Sequence, residues 1–131
     1  MNAEVSARLA KADAYLGSVV SNADTDVPET VVSTAYYAMY HAAAAVVLTR
    51  TGDIPKTHSQ LIGLFGQIVR TLGDAARGTG RSLNEAYDRR VAGDYSSALT
   101  MLRSDALHAR DEAVAFVEFC KSLLAGPATG P

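Results

Sequence analysis

Apolar positions recur along this chain at steps of three and four residues, with almost no sustained alternation. Such steps return side chains to one face of a helix, whereas alternation would mark a half-buried strand. Val5, Leu9, Ala12, Leu16 and Val19/Val20 predict a first helix over residues 3–20. "SNADTDVP" then breaks the chain; Asp26 reads as an N-cap, with Pro28 in the first turn and Glu29 completing a capping box.

The second predicted helix, residues 27–50, is apolar or small on most sides. Val32, Tyr36, Met39, Ala43, Val46 and Val47 share one face, and Thr34, Tyr37, Ala38, His41, Ala45 and Leu48 the opposite one. A helix of this kind belongs at the centre of a bundle, where its alanines permit close approach. Arg50, Gly52 and Pro55 end it. "KTHSQLIGLFGQIVRTL" (56–72) predicts a third helix through Leu61, Leu64/Phe65, Ile68 and Leu72.

"GDAARGTGR" reads as a loop or frayed turn. "SLNEAYDRRVA" then reads as a short fourth helix starting at Ser82, with Glu85 in capping-box position and Gly93 interrupting it. The last helix is expected from about Ser96 to Leu124. Its seam of Leu99, Leu102, Ala106, Ala109, Ala113, Phe116, Cys120 and Leu123 steps three and four in strict turn. The expectation is an all-α, antiparallel four- to five-helix bundle in one domain (residues 1–124), followed by a flexible tail, 125–131.

Composition narrows the function. With 48% hydrophobic and 20% charged residues, a folded globular chain is expected. The longest apolar run, Ala42 to Leu48, is far short of a membrane span, and the N-terminal stretch lacks the apolar region of a secretory signal. A cytoplasmic location with no membrane association is therefore expected. Cys120 is the single cysteine, on the seam as core filler, and no Cys/His cluster has metal-ligand spacing, so neither metal nor cofactor is expected. The net charge of −2 argues against broad duplex binding. Arg70, Arg77, Arg81, Arg89 and Arg90 nevertheless cluster in sequence, and such a patch can bind a phosphate or simply be a solvated helix face.

The candidate chemistry centres on "NEAYDRRVAGDYSS" (84–97). In a continuous helix a five-residue offset points side chains about 140° apart, so Arg90 and Tyr95 would diverge. Gly93, tolerant of positive φ, would let the chain turn and bring Asp94 and Tyr95 back toward Tyr87 and Arg90. Arg90 could then bind a phosphate, or Asp94 could hold it in a structural ion pair. His41, with Tyr37 one turn before it and Thr34 further along the same face, could serve as an acid or base near neutral pH, or be a core histidine satisfied by a hydroxyl or carbonyl. His58 in "KTHS" lies near a helix start, where anions are favoured; a cap made by Thr57 or Ser59 needs no ligand.

Three segments taken together, "STAYYAMYHAAAAVVL", "KTHSQLIGLF" and "YDRRVAGDYSSA", resemble the HEPN domain family of small prokaryotic helical bundles over roughly residues 26–124. The resemblance implies a four- or five-helix bundle that works as a homodimer. It also implies pairing with a minimal nucleotidyltransferase in a toxin–antitoxin or defence module. Active members are metal-independent ribonucleases with an Arg, four to six residues, then His. Here no histidine stands among the seven residues after Arg90, and Tyr95 occupies the equivalent place. Arg103 and His108 match the spacing elsewhere, but inside an unbroken predicted helix and one element too late.

The resemblance thus assigns phosphate contact to Arg90, with Asp94, Tyr87, Tyr37 and His58 as further nucleotide or RNA contacts. Proton transfer falls to His41 or Tyr95, and Tyr95 is a candidate for adenylylation by the paired nucleotidyltransferase. A non-catalytic dimerisation module bound to such a partner is the alternative.

Overall fold

The computed structural model describes residues 2–95, only the backbone in the case of Tyr95, and residues 100–126. Five helices follow one another: α1 Ala3–Asn22, α2 Pro28–Thr51, α3 His58–Arg70, α4 Asp74–Tyr95 and α5 Arg103–Ala125. Among the described residues there is no strand. The architecture is the expected all-α bundle.

The core is organised around α2. Ala35, Tyr36, Ala38, Ala42, Ala43, Ala44 and Val47 have essentially no exposed surface, and Met39 is 1% exposed. The alanines let α1 and α5 close on α2 from two sides, while α3 and α4 pack against its remaining face. α2 is long and apolar enough to cross a membrane by length and composition, but 78% of its most apolar window is buried inside the bundle. On α5 the seam residues Ala106, Ala109, Ala113, Phe116 and Cys120 are buried, with Phe116 against Phe65 of α3. Burial pushes the Cys120 thiol far above its ordinary range, which suits a packing residue.

Several expected boundaries are corrected. Asp26 does not cap α2: Val27 holds the N-cap position without a side-chain bond, and Pro28 opens the helix. Glu29 accepts from the Met101 backbone N–H at 3.1 Å, joining α2 to the start of α5 instead of completing a capping box. Gly52 ends α2 in the left-handed region at φ 82°. Leu102, expected in the seam, is 62% exposed and is the N-cap of α5, where its N–H donates to Asp105. Seam residue Leu99 and residues 127–131 of the expected tail fall outside the described residues.

The largest correction is α4. The expected loop at residues 73–81 is helical from Asp74 onward, and α4 continues past Ser82 and through Gly93 to Tyr95. Gly73, at φ 105°, makes the turn that reverses the chain. Gly78 and Gly80 are helical despite their low propensity, and Gly80 packs against α3. A Cβ on Gly80 would stand 3.2 Å from the Gly66 Cα, so the glycines allow two helix backbones to touch.

Candidate functional site

Three helices converge where α3 begins. Thr57 N-caps α3, accepting from the Gln60 N–H at 3.1 Å, and His58 is its first residue. One turn of α2 presents Tyr36, Tyr37 and Tyr40 to the same place, and α4 brings Tyr87 and Arg90.

His58 is the hub. Its Nδ1 lies 2.7 Å from the Tyr36 hydroxyl, and its ring stacks on Tyr40 with centroids 4.2 Å apart. Tyr87 lies 6.0 Å away. Burial, then the Arg90 charge, lowers the His58 pKa below the ordinary histidine value, so the neutral ring is favoured. Tyr36 has no exposed surface, and burial together with Tyr40 and Tyr87 pushes its phenol well above the usual range. It therefore stays protonated. A hydroxyl can donate or accept, so it satisfies either tautomer of His58 and leaves Nε2 to act as base or donor.

Arg90 lies over two rings, its Cζ 4.9 Å from the Tyr37 centroid and 5.8 Å from that of Tyr36. Such stacking holds a guanidinium flat and partly desolvated. Its Nε is 3.5 Å from an Asp94 carboxylate oxygen and is buried without a hydrogen-bond partner among the described residues. Asp94 and Tyr37 also border an open cleft of about 380 Å³, with Tyr15, Thr30 and Thr34 on its walls.

The predicted residues are only partly brought together as expected. Arg90, Asp94 and Tyr87 do share one side of α4, but by ordinary helical spacing, because Gly93 has no positive φ and no turn occurs there. Tyr95 is the last residue of α4, and its side chain falls outside the described residues. Tyr37 and His58 lie beside Arg90.

His41 sits on the other side of Tyr37, against α1. Its Nδ1 accepts from the Arg8 guanidinium at 3.0 Å and its ring stacks on Tyr15 at 5.5 Å. Burial, followed by Arg8, Lys11 and His58, lowers its pKa to about 4, not near neutrality as expected. His41 is thus tied to α1 through Arg8, whereas His58 stands beside Arg90. Thr34 donates to the Thr30 carbonyl rather than to any histidine. Arg103 and His108 are separately engaged: Arg103 donates to the Ala23 and Asp26 carbonyls, and His108 lies 3.8 Å from Glu112.

Sequence reasoning missed Tyr36 and Tyr40. A tyrosine reads as apolar, so the pattern sets Tyr36 on the aliphatic face, yet its hydroxyl is the polar atom that anchors His58. Two tyrosines one turn apart on a helix otherwise rich in alanine are the signal that could have found them. Among the described residues no group of three or more His, Cys, Asp or Glu side chains is placed to hold a metal.

The family model described as "HEPN domain" matches residues 5–123. A UPF0332 protein of Archaeoglobus fulgidus is 30% identical over 119 residues, covering 91% of this chain and 94% of that protein. A protein of Methanocaldococcus jannaschii that carries the name "Putative toxin" is 35% identical over 66 residues, 50% of this chain and 48% of that protein. The chain thus spans about half the length of that relative.

Proposed function

Because the chain belongs to the HEPN domain family, we propose that it is a toxin-like member that binds single-stranded RNA at the His58–Arg90 cluster and cleaves it without metal. The observation that carries this reading is the pairing of a neutral, tyrosine-anchored His58 with a partly buried Arg90 whose Nε lacks a hydrogen-bond partner. These are the two residue types of the family's motif, contributed by α3 and α4 instead of by one short segment.

His58 Nε2 takes the proton from a ribose 2′-hydroxyl as its oxygen attacks the adjacent phosphorus. The bond to the 5′-oxygen breaks, that oxygen takes a proton from a water molecule, and the hydroxide so formed recovers the proton from the His58 imidazolium; the products are a 2′,3′-cyclic phosphate and a 5′-hydroxyl. Arg90, already flat against Tyr37, stabilises the added negative charge of the phosphorane. The tyrosines offer faces on which bases stack, a mode that tolerates any sequence. A homodimer would set two such clusters over one strand, and a minimal nucleotidyltransferase would be the restraining partner. Cytoplasmic RNA is the corresponding target.

The alternative is a non-catalytic dimerisation module bound to such a nucleotidyltransferase. It is favoured by the absence of histidine among the seven residues after Arg90. Incubating the purified protein with RNA in excess chelator separates the two. Cleavage that disappears in His58→Ala and Arg90→Ala, and on 2′-deoxy substitution at the cut position, supports the enzyme. Retained RNA or nucleotide binding with no cleavage supports the module.

A further inference from the structure

The α3–α4 interface extends away from His58 in a regular register. α3 and α4 run antiparallel, with His58 near Tyr87 and Gly66 against Gly80. Ile62 and Asn84 line one cleft midway, and Arg70 and Arg77 line its far end. Four-residue steps carry α3 along one side, from His58 through Ile62 and Gly66 to Arg70. The distance from His58 to Arg70 along the helix axis is about 18 Å.

This cleft, of about 350 Å³, is walled by Gly63, Gly66 and Gly80 and edged by Arg70, Arg77 and Arg81. The glycines leave room at the floor: a Cβ on Gly63 or Gly66 would meet nothing within 4 Å. Among the described residues Arg70 and Arg81 make no ion pair, and Arg77 meets only Asp74, at 3.6 Å with both side chains largely exposed. Arg89, by contrast, is tied to Glu85 and Glu112. Arg77 also stands in the first turn of α4, where the helix dipole disfavours a cation. A chain of net charge −2 thus gathers three arginines around one cleft, at a repulsive cost that a bound anion would relieve.

We infer that this cleft is a track for the phosphodiester backbone of a single RNA strand, with Arg70, Arg77 and Arg81 holding phosphates several nucleotides from the His58–Arg90 cluster. The inference rests on the RNA reading of that cluster and adds the direction in which the strand runs. Three separate cations strung along a groove suit a chain of repeated charges better than a mononucleotide, and the narrow contact between two helices suits one strand better than a duplex.

The test uses a fluorescent single-stranded 12-nucleotide RNA, 2′-O-methylated throughout to block cleavage, titrated at several KCl concentrations. For the combined variant R70A/R77A/R81A, with its helical signal and melting checked, affinity should fall at least about tenfold. The slope of log affinity against log salt should shrink by about 2, as expected for three lost phosphate contacts on a single strand. In wild type, the 12-mer should bind more tightly than a dinucleotide.

Unchanged affinity and slope in the folded triple variant, with binding lost in Arg90→Ala, would overturn the track and leave the cluster reading standing. Weakened binding in the triple variant, with Arg90→Ala and His58→Ala cutting normally, would keep the track and remove the cluster reading. If poly-glutamate displaces the RNA at equal charge, or the triple variant changes the sedimenting mass, the occupant is an acidic polypeptide or a second copy and the RNA track is wrong.

Discussion

The Tyr36 hydroxyl lies 2.7 Å from His58 Nδ1, so a phenol with no exposed surface fixes the ring that opens α3. Tyr36→Phe removes that anchor while keeping the ring volume. Stability should fall by only about 1 kcal/mol, the usual net value of one hydrogen bond. RNA cleavage should fall at least about tenfold in kcat with little change in KM, because strand contacts survive. Equal cleavage by wild type and variant would remove His58 from the chemistry. The rate should also hold below pH 6.5, the ordinary histidine value, because burial and Arg90 keep His58 neutral to lower pH.

Arg90 is held more by rings than by its carboxylate. The Asp94 side chain is 39% exposed and only 3.5 Å from Arg90 Nε at closest, so Asp94→Asn should shift stability by less than about 1 kcal/mol. Arg90→Lys should fail to restore RNA binding lost in Arg90→Ala, since an ammonium lacks the flat, forked donor set. Titration and melting of the three variants together check both statements. An early melt of Asp94→Asn would make the pair a structural cap.

His41 should dominate one part of the pH dependence of stability. Its pKa is about 4 when folded and about 6.5 when unfolded. The unfolded chain therefore binds the proton first as pH falls, and the contribution, complete above about 6.5, is lost progressively toward 4. His41→Asn retains an acceptor for Arg8 without the titration. Its melting temperature should decline less steeply than wild type across that window. Parallel curves would contradict the assignment.

Two glycines give opposite predictions. Gly73 has φ 105°, so Gly73→Ala should destabilise by more than about 1 kcal/mol. Gly93 is helical, and Gly93→Ala should gain up to about 1 kcal/mol in propensity, offset as the Met101 Cε, 3.0 Å from the new Cβ, moves aside. Thermal melting should place Gly93→Ala near wild type and Gly73→Ala well below it.

Ala43, with no exposed surface at the centre of α2, tests the core directly. Ala43→Arg would bury a charge with no partner and should abolish the cooperative melt. A folded Ala43→Arg would mean that α2 is not central.

Much of the bundle was legible because α2 and the α5 seam state their faces in short-range spacing. The first half of α4 was not: Gly78 and Gly80 lower the local helix propensity, and the approach of Gly66 from α3 to Gly80 is a contact that local spacing does not encode. Gly93 reads as a turn because a glycine near charged residues looks like a helix end, whereas α4 runs through it, with Met101, and Glu29 of α2, standing beside it. The site was half legible. Arg90, Asp94, Tyr87, Tyr37 and His58 stand out by type, but that His58 rather than His41 faces Arg90 depends on how α3 docks on α2, which no local spacing encodes.

Arg103, at the start of α5, donates to the carbonyls of Ala23 and Asp26, each at 2.6 Å, and so clasps the connection between the first two helices. That clasp joins segments 77 and 80 residues apart in the sequence. During translation α1 and α2 emerge together, but the alanine face that receives α5 stays wet until the final helix has left the ribosome. The order of synthesis thus becomes a timer: the bundle closes last at its oldest loop, and a chain stopped before α5 would offer proteases an open, unlatched α2.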